Sequence, residues 1–152
     1  WKAVPEGEEE EKLVRRLGQQ IRARPYGFGS ARMQPIYLDT IAFYFPELFI
    51  IGAHLGWPDY RIACAIARWR PRLYFDISGG DVVHQHIVQG GYIKNEISPR
   101  KLIYGSDSDL HRIKNDIERW NTAFDHMGLS SEEKDQIFYR NAAHIFGLDK
   151  EG

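Results

Sequence analysis

Two residues that could do chemistry, His54 and Asp107, each follow a short apolar run in this sequence. His54 comes after residues 48–53, and Asp107 comes after residues 101–105. A histidine at the end of a rigid strand can ligate a metal or carry a proton, because the strand fixes its aim. A carboxylate buried there would need a cation, a hydrogen-bond donor or a substrate as its partner. Each residue could instead be structural, His54 as a hydrogen-bonded buried histidine and Asp107 as the partner of a lysine or arginine.

The other histidines and the single cysteine give weaker signals. His84 and His86 form an H-x-H pair, which would direct both rings to one face of a strand but separate them on a helix. The surrounding pattern is helical and disfavours a metal site. His111, His126 and His144 fall on predicted helices as surface or packing residues. Cys64 lies among small apolar residues and is predicted to fill space in the core.

Hydrophobic periodicity predicts an α/β fold. Apolar residues three and four apart predict helices, and continuous apolar runs predict strands that are buried on both faces. The predicted strands are residues 48–53, 72–77 and 101–105, and the predicted helices are residues 8–24, 35–45, 60–69, 81–92, 110–124 and 131–146. Strands joined by single helices form a parallel sheet in chain order, with their carboxyl ends at one edge. We therefore expect His54 and Asp107 to face one cavity.

Periodicity also predicts which side of each helix is buried. The predicted inward side chains are Ile41, Ala42 and Phe45 in the second helix, Ile62, Ala63, Ile66 and Trp69 in the third, and Leu110, Ile113, Ile117, Trp120 and Phe124 in the helix after the last strand. Ser130 and Glu133 have the spacing of a capping box for the final helix, and Gly147 is its predicted stop.

Composition excludes several classes of protein. The chain has 152 residues, 20 Lys and Arg against 21 Asp and Glu, and 43% hydrophobic residues, which is typical of one globular domain. Without a cluster of positive charge, neither nucleic acid nor an anionic membrane is expected as a partner. The longest apolar stretch, residues 48–55, is too short to span a bilayer. One cysteine and the lack of a signal-peptide pattern favour the cytoplasm.

Four linked motifs occur between residues 35 and 148. In chain order they are Phe45-Pro46-Glu47-Leu48 leading to Ala53-His54-Leu55-Gly56, then Leu73-Tyr74-Phe75-Asp76-Ile77-Ser78-Gly79, then Leu102-Ile103-Tyr104-Gly105-Ser106-Asp107, then Asn141-Ala142-Ala143 with Ile145-Phe146-Gly147-Leu148. Their order and spacing resemble the amidohydrolase-related metal-dependent hydrolases, in the branch that includes aminocarboxymuconate-semialdehyde decarboxylase and the resorcylate decarboxylases.

This resemblance implies a distorted (β/α)₈ barrel of the TIM type, with the first three motifs at the ends of strands six, seven and eight. His54 then matches the histidine that lies beside the metal and polarises or protonates the substrate. Asp107 matches the carboxylate that binds the metal and takes the proton of a bound water. Both are candidate ligands of a divalent metal, usually zinc in this family, with manganese possible. Ser78 and Trp57 would border the pocket of a small-molecule substrate.

The sequence also departs from the family pattern. The family's first strand brings a His-x-His pair and its fifth strand another histidine, but no histidine precedes His54. Three strands also cannot close a barrel of eight. The resemblance therefore implies the carboxyl-terminal half of the fold, with residues 1–34 as an amino-terminal helix and loop and residues 35–152 as the incomplete barrel. Such an open sheet needs the missing half or a homo-oligomer to cover it.

The function expected from the resemblance is that of a metal-dependent hydrolase. Its substrate would be a small carboxylate, lactone or amide attacked by metal-activated water. Two alternatives remain open. One is non-oxidative decarboxylation of an aromatic or unsaturated acid by the same ligands, and the other is an inactive half-barrel that self-associates.

Overall fold

The computed structural model describes residues 33–150, and its compact unit begins at Gln34. The helix predicted at residues 8–24 and most of the loop after it lie outside the described residues. The division of the chain into residues 1–34 and 35–152 stays a prediction. Within residues 33–150, none of the helices combines the length and hydropathy that crossing a bilayer requires.

Helices and strands alternate through the described residues in the predicted order. The strands are β1 (Ile50–Gly52), β2 (Leu73–Asp76) and β3 (Leu102–Ile103). The α-helices are α1 (Ile36–Tyr44), α2 (Tyr60–Trp69), α3 (Gly80–Gly90), α4 (Leu110–His126), α5 (Ser131–Asp135) and α6 (Asn141–Phe146). Short 3₁₀ turns occupy His54–Gly56, Pro99–Lys101 and Leu148–Lys150. A π-helical turn, Gln136–Arg140, joins α5 to α6, so the last predicted helix is interrupted.

The three strands form a parallel sheet in the order β1-β2-β3. Ile50 pairs with Leu73, and Phe75 pairs with Leu102. This topology confirms the predicted adjacent, parallel strands. Because all three strands run in one direction, their carboxyl ends lie at one edge, and the loops that follow them can converge there.

The core lies between the sheet and the helices that connect its strands. Its largest fully buried side chains are Trp120, Phe75 and Phe124. The ring of Trp120 stacks on Phe124 with centroids 5.4 Å apart, and its other neighbour is the ring of His84 at 4.4 Å. The contact with His84 attaches α4 to α3.

The predicted buried faces are wrong in part. In α2 the bounds are as predicted, but the buried side carries Tyr60, Ala63, Cys64, Ile66 and Ala67, while Ile62 and Trp69 are exposed. Small side chains let a helix approach a sheet closely, so this side packs better than the one with larger residues. In α4, Trp120 and Phe124 are buried as predicted, but Leu110 and Ile117 are exposed because only the carboxyl-terminal half packs on the core.

The first helix and strand leave apolar surface exposed. Of the predicted inward residues of α1, only Ala42 is buried, and Ile41 and Phe45 are exposed. Strand β1 was predicted to be buried on both faces, but Ile51 is exposed. Side chains alternate between the two faces of a strand, and Ile51 lies on the opposite face from the buried Ile50 and Gly52.

Two local motifs that the sequence predicted stabilise the carboxyl-terminal segment. Ser130 and Glu133 form the predicted capping box at the start of α5, each side chain accepting the backbone N–H of the other residue. Gly147 ends α6 with a φ of 69°, a left-handed conformation that suits glycine.

Asn141 ties α6 to β3 through buried hydrogen bonds. Its side-chain amide donates to the carbonyl oxygens of Pro99 and Leu102 at 2.8 and 2.7 Å. Replacing Asn141 with alanine would leave two buried acceptors without this donor, so we expect the free energy of unfolding to fall by about 1–3 kcal/mol. Urea denaturation measures this loss. Asn121→Ala, at an exposed position in α4, is the control, and an equal loss in both variants would contradict this structural role.

Candidate active site

His54 and Asp107 meet at the carboxyl edge of the sheet. His54 opens the turn after β1, and Asp107 lies in the loop between β3 and α4. The distance from His54 Nε2 to Asp107 Oδ2 is 3.9 Å. The two side chains thus converge at one edge of the sheet, as the parallel order of the strands predicts, but His54 is not among the residues that line the cleft beside Asp107, so a shared cavity stays a prediction.

Both residues adopt a backbone conformation that is uncommon for side-chain-bearing residues. The φ angles are 54° for His54, 47° for Leu55 and 48° for Asp107. Positive φ angles of this kind cost energy and cluster at functional sites. The turn persists because Leu55 is fully buried in the core. The surrounding fold thus holds His54 and Asp107 in positions that local preference would not select.

Asp76, at the end of β2, organises the loops that follow β1 and β2. Its Oδ1 atom accepts the backbone N–H of His54 at 2.9 Å and that of Ser78 at 3.0 Å. The same oxygen also accepts the hydroxyl of Ser78 at 2.6 Å. Asp76 lies in the motif Asp76-Ile77-Ser78-Gly79, but sequence reasoning did not select it as a site residue. The available signal was the Asp-x-Ser spacing, which favours an Asx turn at a strand end.

Ser78 connects Asp76 to the imidazole of His54. Its Oγ atom lies 2.9 Å from His54 Nδ1, and the residue is only 7% exposed. The hydroxyl is thus engaged on both sides by groups of the protein. The expected role of Ser78 at the border of the substrate pocket stays a prediction.

Gly79 leaves room for the ring of His54. A Cβ atom at this position would lie 3.0 Å from His54 Nδ1 and 2.6 Å from a methyl carbon of Val83. The φ angle of Gly79 is 110°, which side-chain-bearing residues rarely adopt. Glycine is therefore required here both for the turn and for the position of the imidazole.

A polar cleft of about 720 Å³ opens beside Asp107. Its wall combines carboxylates, two arginines and smaller polar groups. The lining residues are Gly80, Asp81, Ser106, Asp107, Ser108, Asp109, Arg112, Asn115, Asp116 and Arg119. The side chain of Asp107 is 62% exposed, so its expected burial is wrong. The loop carries it beyond the end of β3, where water can solvate the carboxylate.

Two of the cleft carboxylates are paired with Arg119. Its guanidinium donates to Asp81 and to Asp116. Asp116 also accepts the hydroxyl of Tyr104 at 3.0 Å. Burial and this hydrogen bond raise the pKa of Tyr104 to about 12, so its hydroxyl stays a donor. The network fixes one part of the cleft wall, and the loop that carries Asp107 forms another part.

Trp57 lies near His54 in the chain but not in the cleft. Its backbone N–H donates to the carbonyl oxygen of His54 at 3.0 Å, and its indole is partly exposed. Trp57 is not part of the cleft wall that the described residues form. Its expected contact with substrate stays a prediction.

The H-x-H pair lies on α3, and its two rings diverge, as the helical pattern predicts. His84 packs on Trp120, and its buried Nε2 has no hydrogen-bond partner among the described residues. Burial, together with the charge of Arg119, lowers the pKa of His84. His86 lies on another side of the helix, with Nδ1 3.4 Å from the hydroxyl of Tyr60. The pair therefore packs against neighbouring elements and does not form a shared metal site.

The remaining candidate residues also have structural or surface positions. His111, His126 and His144 are exposed on helices, as predicted. Cys64 is fully buried, and burial raises the pKa of its thiol to about 12. A thiol with such a pKa is a poor nucleophile, which confirms the interpretation of Cys64 as a core residue.

Polar residues at the carboxyl ends of adjacent parallel strands are the arrangement by which α/β enzymes build their sites. The family model for amidohydrolases matches residues 27–148. This chain therefore belongs to the amidohydrolase family, whose members are generally TIM-barrel-like enzymes that use divalent metals. No curated protein and no solved structure matches the chain.

Proposed function

We propose that this chain carries the part of a metal-dependent amidohydrolase site that comes from strands six, seven and eight of a (β/α)₈ barrel. In this proposal β1, β2 and β3 are those strands. The observation that carries it is the 3.9 Å separation of His54 Nε2 and Asp107 Oδ2 at the carboxyl edge of the sheet. Barrel enzymes build their active sites at that edge.

The donor atoms of these two residues fit a divalent metal. Zinc lies about 2.0–2.2 Å from nitrogen and oxygen ligands in a tetrahedral arrangement, so two ligands of one ion lie about 3.3–3.6 Å apart. His54 Nε2 and Asp107 Oδ2 are 3.9 Å apart, a few tenths of an ångström wider than this separation. Within residues 33–150, no cluster of three or more His, Cys, Asp or Glu side chains could hold a metal. His54 and Asp107 would therefore hold the ion together with ligands from outside these residues, with zinc preferred and manganese as the alternative.

The chemistry follows from the two side chains. A bound divalent ion lowers the pKa of a water ligand to about 7 and polarises a carbonyl group. The Asp107 carboxylate would accept the proton of the attacking water, and the imidazole of His54 would hold the ion through Nε2 and so help to polarise the substrate. Arg112 lines the cleft and can bind a substrate carboxylate through its planar guanidinium. A small carboxylate, lactone or amide is therefore the proposed substrate class.

Non-oxidative decarboxylation is the second candidate function. The four motifs of the sequence resemble the decarboxylase branch of the family, and Arg112 would suit an aromatic or unsaturated acid as well as the acid group of a hydrolase substrate. Both reactions use the same metal ligands. Product analysis distinguishes them, because hydrolysis adds water to the substrate whereas decarboxylation releases carbon dioxide.

The exposed apolar surface supports the proposal that the barrel is completed elsewhere. Helix α1 exposes Ile36, Tyr37, Phe43 and Tyr44, and β1 has an open edge in the described sheet. Strands one to five of a barrel would cover this side, and so would a second copy of the chain in a homo-oligomer. An inactive, self-associating half-barrel would use the same surface but would not need His54 and Asp107 to converge.

Zinc titration by calorimetry tests the proposed function. We expect the catalytically complete protein, in which the rest of the barrel supplies the other ligands, to bind one zinc ion, and Asp107→Asn to weaken binding at least about tenfold, which is 1.4 kcal/mol. Asp125→Asn is the matched control, because Asp125 has a similar exposure but pairs with Lys134 away from the cleft. It should bind zinc as the unsubstituted chain does. The proposal is wrong if the complete protein binds no zinc or if Asp107→Asn leaves the affinity unchanged.

A further inference from the structure

We propose that Asp76 and Ser78 are positioning residues that hold His54 in its Nδ1–H tautomer and leave Nε2 as a hydrogen-bond acceptor facing Asp107. This inference deepens the proposed function, on which its catalytic purpose rests. The hydrogen-bond assignment itself depends only on the chemistry of donors and acceptors in the metal-free chain.

Asp76 Oδ1 is a hydrogen-bond acceptor towards the backbone. Its Oδ1 atom receives the backbone N–H groups of His54 and Ser78 at 2.9 and 3.0 Å. A backbone amide is always a donor, so this oxygen must be an acceptor towards both groups. The two backbone donors occupy the space beside Oδ1, so this oxygen carries no hydrogen of its own.

Ser78 donates its hydroxyl hydrogen to Asp76. The hydroxyl lies 2.6 Å from Asp76 Oδ1, and because that oxygen carries no hydrogen, Ser78 must donate to it. A hydroxyl has one hydrogen and two lone pairs. Toward His54 Nδ1, at 2.9 Å, Ser78 Oγ can therefore act only as an acceptor.

Ser78 in turn determines the tautomer of His54. Because Ser78 Oγ accepts, Nδ1 must carry the hydrogen of the bond. A neutral imidazole has one N–H, so its Nε2 then has a free lone pair. That lone pair and Asp107 Oδ2 are two acceptors 3.9 Å apart, with no hydrogen between them. Such a pair suits a cation or a water that bridges the gap.

The main chain and the ring of His54 are thus anchored on the same carboxylate. Asp76 holds the backbone of His54 directly and holds its imidazole through Ser78. The absence of a side chain at Gly79 allows the ring to lie against this loop. Outer hydrogen-bond partners of this kind fix the tautomer and the orientation of a histidine ring.

Long-range ¹H–¹⁵N correlation spectra of the metal-free, ¹⁵N-labelled chain test this inference. At pH about 9, where imidazoles are neutral, we expect the His54 ring to carry its proton on Nδ1. In Ser78→Ala the Nε2–H form should appear, because the acceptor of Nδ1–H is lost. Ser78→Thr keeps the hydroxyl and should restore the Nδ1–H form. The exposed rings of His111 and His126 are internal controls and should not change.

Two results would overturn the inference. One is a His54 ring protonated at Nε2 in the unsubstituted chain, a measurement that needs no variant to fold. The other is a folded Ser78→Ala protein with the tautomer unchanged. Zinc titration separates this inference from the proposed function. If Ser78→Ala shifts the tautomer but zinc does not bind, the positioning role of Asp76 and Ser78 is supported and the metal-dependent function is wrong. If both hold, Ser78→Ala should weaken zinc binding about 10–100-fold.

Discussion

Replacing Asp107 with asparagine lowers the turnover of the catalytically complete protein by about 10²–10⁴-fold, the range typical of lost general-base catalysis. Asparagine has the size of aspartate and also tolerates the left-handed backbone at this position, where φ is 48°. The variant therefore removes the charge and the proton acceptor but keeps the loop. Turnover of small lactones, amides and carboxylic acids at saturating zinc measures the effect.

The stability of the same variant distinguishes a catalytic role from a structural one. Asp107 is exposed, so we expect Asp107→Asn to change the free energy of unfolding by no more than about 0.5 kcal/mol. Asp125→Asn again serves as the control and should keep full turnover. Unchanged turnover in Asp107→Asn would mean that Asp107 only contributes negative charge near the amino terminus of α4, which begins at Leu110.

Replacing Trp120 with alanine has the largest expected effect on stability. Trp120 is 1% exposed and lies between the rings of His84 and Phe124, so the substitution leaves a large cavity in the core. We expect the free energy of unfolding to fall by about 3–5 kcal/mol. Urea denaturation followed by circular dichroism measures this loss.

Trp69→Ala is the matched control for this prediction. Trp69 is 76% exposed at the end of α2, so the same change of side chain should cost only about 0.5 kcal/mol. Periodicity predicted both tryptophans to be inward-facing. Equal losses in the two variants would contradict the burial of Trp120 as the source of its effect.

Local patterns were sufficient to predict the elements and their order. The bounds of α2 and the capping box of Ser130 and Glu133 depend on neighbouring residues, which the sequence displays directly. The buried faces depend on which side of a helix meets the sheet. In α2 both sides carry apolar residues, and the choice of the side with Ala63 and Ala67 is made by close packing, which periodicity does not measure.

The sequence was sufficient to predict which strand ends meet, but not the contacts within the candidate site. Parallel strands bring their carboxyl ends together, which is why His54 and Asp107 could be paired from the sequence. The link through Asp76 and Ser78 depends on the left-handed turn at His54 and on side-chain rotamers. These are properties of the packed structure, and no spacing rule joins residue 54 to residue 76. The exposed position of Asp107 likewise depends on the path of its loop.

Paramagnetic broadening by Mn²⁺ in the ¹H–¹⁵N spectrum reports where a divalent ion lies on the chain. We expect substoichiometric Mn²⁺ to broaden the amide signals of His54 and Asp107 first, and added Zn²⁺ to reverse this broadening by competing for the same site. Broadening that begins at other carboxylates, such as Glu132 and Asp135 on α5, or that leaves the signals of His54 and Asp107 sharp, would contradict a metal site at the carboxyl edge of the sheet.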